Sequence, residues 1–83
     1  MTETVYRYMI GLPDFGDYID ELLASDLTDE QRIGMLISYI EVEADDGFLS
    51  GTETPEGAAV IRSYLSNVSY YELALRLYGE ALA

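Results

Sequence analysis

Residues 28–47 read TDEQRIGMLISYIEVEADDG, and the fold turns on how this stretch is taken. Thr28-Asp29-Glu30-Gln31 has the form of a capping box. In such a box the threonine oxygen and the glutamine side chain each accept from a backbone N–H that the first turn leaves orphaned. Behind it, Ile33, Leu36, Ile37, Ile40 and Ala44 recur at the three- and four-residue spacing of a helix with a buried stripe. Met35, Tyr39 and Val42 widen the apolar surface, while Arg32 and Glu43 interrupt it. The main polar strip is narrow and runs through Glu30, Gly34, Ser38, Glu41 and Asp45. A helix apolar over most of its surface belongs at the centre of a bundle. Asp45-Asp46-Gly47 is expected to stop it, the glycine taking the left-handed conformation.

The flanking segments supply helices to surround it. Asp14 is placed to cap a helix running to about Ser25, with Phe15, Tyr18, Ile19, Leu22 and Leu23 on one stripe. Its other face carries Asp17, Asp20 and Glu21. Phe48 to Glu53 reads as a loop, after which Thr54 and Pro55 open a helix whose core stripe is Ala58, Ile61, Tyr64 and Leu65. Ser69-Tyr70-Tyr71-Glu72 reads as a second capping box, leading a helix to near Ala81. That helix sets Leu73, Ala74, Leu77, Tyr78 and Ala81 on one side. A second apolar row, Tyr71, Leu75 and Leu82, exceeds what one bundle face needs and is expected to form a homodimer interface. At the N-terminus, Thr4, Tyr6, Tyr8 and Ile10 alternate as a strand would, whereas Val5, Tyr8, Met9 and Leu12 keep helical spacing. A lone strand has no partner in this chain, so a short helix is preferred. The expected fold is a single all-α domain over residues 1–83, a small four-helix bundle with a short extra N-terminal helix.

Composition bounds the chemistry. The 83 residues contain no cysteine, no histidine and no tryptophan, and all four cations are arginines. Without cysteine there is neither a disulfide framework nor a thiolate nucleophile. Without histidine, the commonest general base and the usual transition-metal ligand are both missing. No basic leader precedes an apolar run, and no apolar run is long enough to span a bilayer, so a soluble cytoplasmic protein is expected, in the host-cell cytoplasm if phage-encoded.

Three catalytic readings can be tested on the residues, and each fails. Asp17, Asp20 and Glu21 share one helix face, and Glu41 and Asp45 share another. Facing pairs of this kind hold magnesium in helical nucleotide pyrophosphohydrolases, but the glutamate pattern of that family is not met here. If Gly47 were the sixth position of a calcium loop, Glu53 would fall at the twelfth, yet the first and third would be Val42 and Ala44, which cannot ligate a cation. Serines occur, but no histidine or lysine can activate them. The expectation is therefore no enzyme, no cofactor and no metal, with a carboxylate metal-dependent enzyme as a distant alternative.

Charge is the strongest signal, and it is uneven. The net charge is −12, and Asp14 to Asp46 hold eleven carboxylates against Arg32 alone, whereas Gly57 to Ala83 hold two carboxylates and two arginines. Such a chain repels nucleic acid and anionic lipid, so neither is expected as a direct partner. It attracts basic proteins. Asp14, Asp17, Asp20 and Glu21, continued by Asp26, Asp29 and Glu30, would make a ribbon of charge with side chains roughly 5–6 Å apart, comparable to successive phosphates. Glu41, Asp45 and Asp46 extend the acidic surface. In composition, though by no motif, the chain resembles nucleic-acid-mimicking inhibitors, the small acidic phage- or plasmid-borne proteins that block CRISPR, restriction or repair machinery. The resemblance implies an anti-CRISPR or anti-restriction function. An immunity, antitoxin or adaptor protein that binds without mimicry is the alternative, and an ordinary solvated helix face is the bland reading of the same carboxylates.

The eight tyrosines divide in two. Tyr18, Tyr39, Tyr64 and Tyr78 fall on or beside core stripes, and Tyr6, Tyr8, Tyr70 and Tyr71 are expected to be partly exposed, as interface tyrosines are.

Overall fold

The computed structural model describes residues 2–83. Five helices follow one another in these residues: α1 (Thr2–Ile10), α2 (Phe15–Ala24), α3 (Asp29–Leu49), α4 (Pro55–Leu65) and α5 (Tyr70–Leu82). No strand occurs among the described residues. The chain is the all-α bundle that its periodicity predicts, and the N-terminal segment is helical. α1 is a full member of the core rather than an appendage, since its Val5 and Met9 are completely buried.

α3 is the central element. It packs against α1, α4 and α5, while α1 bridges α2 and α5. Its 21 residues extend about 31 Å at the helical rise. Leu36, Ile40 and Ala44 are wholly buried, and α5 answers with Leu73, Ala74, Leu77 and Tyr78. Ring contacts fasten the remaining helices. Tyr18 of α2 stacks on Tyr39 of α3 at 3.9 Å and 8° from parallel, and Phe15 lies 6.2 Å from the same ring. At the other end, Tyr8 of α1 meets Phe48 of α3 at 5.2 Å.

Helix starts follow the local chemistry in most cases. The α3 capping box is complete: the Gln31 amide donates to Thr28 Oγ1 at 3.2 Å, and the Thr28 amide donates to Gln31 Oε1 at 3.0 Å. Thr54 Oγ1 accepts from the Gly57 amide at 3.0 Å, with Pro55 in the first turn. The α5 box is half formed. The Glu72 amide reaches Ser69 Oγ at 3.4 Å, without the return bond. Asp14 occupies the cap position of α2 but does not cap it with its side chain, because its own backbone is already helical at φ −91° and ψ −6°. That geometry turns the carboxylate away from the amides it was expected to bind.

Two further expectations are corrected. α3 does not stop at Asp45-Asp46-Gly47 but runs through Gly47 to Leu49, and no described residue has a positive φ. Gly47 serves close approach instead: a Cβ there would collide with the hydroxyl and Cζ of Tyr8 and stand 2.9 Å from its Cε1. The absent side chain is what seats the Tyr8 ring against Phe48. The second correction is Tyr64, which is 57% exposed rather than core. α4 lies at the edge of the bundle on α3, where Leu65 alone of its residues is buried and Ala58 and Ile61 are half-buried.

These glycines give opposite expected results. Gly34 has nothing within 4 Å of a new Cβ, so Gly34→Ala stabilises the protein by about 0.5–1 kcal/mol through helix propensity. Gly47→Ala carries the same gain but displaces Tyr8, and overpacking of about 1–3 kcal/mol makes it net destabilising. In a Tyr8→Ala background its sign reverses. Urea melts of Gly34→Ala, Gly47→Ala, Tyr8→Ala and the Tyr8→Ala/Gly47→Ala double variant measure this directly.

Candidate acidic binding surface

All ten carboxylates picked out from the sequence are exposed: Asp14, Asp17, Asp20, Glu21, Asp26, Asp29, Glu30, Glu41, Asp45 and Asp46. The fold sorts them into two groups. The first covers α2, the α2–α3 turn and the opening of α3, from Asp14 to Glu30. The second lies on the C-terminal half of α3. Glu41 and Asp45 line one groove with Arg62 of α4, and Asp45 and Asp46 line another with the same arginine. Between the groups the exposed side of α3 carries Gly34, Met35 and Ser38, which are uncharged. Asp29 and Glu41, twelve residues apart, are separated by about 18 Å along the axis. Within the first group Asp29 is engaged, accepting from the Tyr78 hydroxyl at 2.6 Å. Among the described residues no three carboxylates stand close enough together to hold a metal ion.

The arginines explain why the first group stays uncompensated. Arg32 is the only cation in the acidic segment, and it is turned inward. Its guanidinium donates to the carbonyls of Leu23 at 3.2 Å and Ser25 at 2.8 Å, and to the Tyr78 hydroxyl at 3.2 Å. It therefore closes the C-terminal end of α2, where carbonyls lack helical partners, and joins it to α5. Asp29 stands 4.0 Å away. Arg76 is engaged at the α1–α5 seam. It pairs with Glu3 at 2.8 Å, lies 3.5 Å over the Tyr6 ring and comes within 3.8 Å of Glu80. The Tyr6 hydroxyl in turn donates to Glu80 at 2.7 Å. The hydrogen bond from Arg76 holds the Glu3 carboxyl below its ordinary pKa, and Glu3 raises that of Arg76 in return. Arg7 stands 3.8 Å from the same Glu3.

The tyrosines expected to be partly exposed are so. Tyr6, Tyr8 and Tyr70 pack against the core, and Tyr71 is 59% exposed. Four phenols are held above their ordinary pKa. For Tyr6 the main cause is its bond to Glu80, and for Tyr18 it is burial. For Tyr39 burial is joined by Glu43 and Asp14, and for Tyr70 by Asp45 and Glu41.

A phenol whose pKa is higher in the folded than in the unfolded state contributes stability that is fully present below the unfolded value, near 10. That stability is lost as pH rises through the folded value. The fold should hold up to about pH 10 and weaken as pH rises beyond it. Ionisation of these four phenols, followed by phenolate absorbance, should accordingly track the loss of helical circular dichroism.

No family model, no curated protein and no solved structure matches the chain. Among the described residues no helix is long and apolar enough to cross a membrane.

Proposed function

We propose that this is a binding protein whose partner is basic, and that it inhibits a nucleic-acid-binding protein by occupying the surface that grips phosphates. It would act in the manner of anti-CRISPR or anti-restriction inhibitors, in the cytoplasm. The observation that carries the reading is the first acidic group together with Arg32. Exposed carboxylates cover α2 and the start of α3, and the one arginine among them is spent inside, on Leu23, Ser25 and Tyr78. A repulsive field left unneutralised costs folding stability, and a partner with a basic groove turns that cost into attraction.

A second reading, an immunity or adaptor protein that binds without mimicry, is favoured by the exposed apolar row on α5. A pull-down from the native host at low and high salt separates the two. Capture of a nucleic-acid-binding protein that is released by salt, and displaced by competing nucleic acid, supports inhibition by occupancy. A neutral partner retained at high salt overturns it.

A further inference from the structure

α5 carries an apolar row that the bundle leaves exposed. Tyr71, Leu75 and Leu82 are 59%, 40% and 58% exposed. Steps of four and seven residues set them on one face over about 16 Å, with the buried Tyr78 between Leu75 and Leu82. α5 runs antiparallel to α3, with Tyr70 beside Glu41 and Asp45 and Tyr78 bonded to Asp29. Tyr71 thus joins Ile33, Gly34 and Ile37 in lining one groove. Gly34 and Gly79 have open space where a side chain would stand, so another backbone can come close. The same groove is edged by Glu30, and the exposed Glu72 follows Tyr71 in the first turn of α5.

We infer that this face docks an amphipathic helix of a partner protein, one that sets apolar residues a turn apart and flanks them with lysine or arginine. Helix-in-groove recognition needs an apolar line of this length with charge at its edge. Charge chooses the occupant. A second copy of this chain would bring the same acid-edged face against this one and join two chains of net charge −12. A basic helix meets those carboxylates with the opposite sign. The inference stands whether or not α2 occupies a nucleic-acid-binding surface, because the apolar line lies on another helix.

The test is titration with a helical leucine–lysine peptide of about 18 residues, long enough to cover the strip. The peptide carries one tryptophan, and since the chain has none, indole emission reports on the peptide alone. A matched peptide with serine for leucine supplies the charge without the apolar face. The leucine–lysine peptide should bind with a blue shift, and Leu75→Glu should weaken binding about tenfold or more. Val60→Glu, an equally exposed apolar residue on α4, should leave it unchanged. Leu82→Ser in the exposed last turn gives the same readout should Leu75→Glu fail to fold. Equal binding of the serine–lysine peptide, or indifference to both substitutions, overturns the inference. So does a wild-type protein that is dimeric at tens of micromolar and made monomeric by Leu75→Glu, which would assign the strip to a second copy.

Discussion

Arg32→Ala should lower the stability of the fold by about 3 kcal/mol, a large share of the roughly 4–12 kcal/mol available to a domain of this size. The side chain is only 17% exposed, and its loss has three consequences. The carbonyls of Leu23 and Ser25 lose a charged donor at the end of α2. The Tyr78 hydroxyl, in a residue 5% exposed, keeps only its bond to Asp29. A void is left where α2, α3 and α5 meet. Arg32→Lys should recover only part of the loss, since one ammonium cannot fork to two carbonyls and a hydroxyl as a planar guanidinium does. Chemical denaturation of the three proteins gives the order wild type, lysine, alanine. Equal stability of the alanine variant would mean that the three bonds do not hold α2 in place.

That role marks where the sequence was legible and where it was not. Periodicities along one helix were plain: Leu36, Ile40 and Ala44 on α3, and Leu73, Ala74, Leu77 and Tyr78 on α5, all lie in the core as their spacing requires. Caps were legible where both partners are close in sequence, as with Thr28 and Gln31. Features made by distant residues were not. Arg32 reads as an interruption of an apolar face, because its acceptors lie on another helix end and on a tyrosine 46 residues away. Gly47 reads as a stop, because nothing near it in sequence shows that Tyr8 of α1 will lie across it. Tyr64 keeps core spacing, but spacing cannot show that α4 would sit at the edge of the bundle. The acidic residues could be named from the sequence, whereas their division into two groups, and the inward turn of the one arginine among them, required the packing of α2 and α5.

Reversal of Asp17, Asp20 and Glu21 to lysine should abolish binding to a basic partner while leaving the fold intact. The three residues lie opposite the stripe of Ile19 and Leu22, are exposed and make no hydrogen bond or ion pair among the described residues. Exposed substitutions of this kind change stability by about 0.5 kcal/mol or less, and relief of repulsion works in their favour here. Binding responds differently. Each reversal replaces an attraction with a repulsion against a basic groove, and a loss of about 1.4 kcal/mol per site, tenfold each, would compound to roughly a thousandfold. The wild-type association should also slow as salt rises, because steering acts through the unscreened field of the acidic face. Surface plasmon resonance against the captured partner, beside a thermal melt of the triple variant, reads both quantities. If the variant melts like wild type and still binds like it, the α2 face is a solvated surface and no more. Binding would then rest on the strip of Tyr71, Leu75 and Leu82, where Leu75→Glu becomes the decisive substitution. If binding falls and the melt does not, the carboxylates of α2 act on the partner and not on the fold.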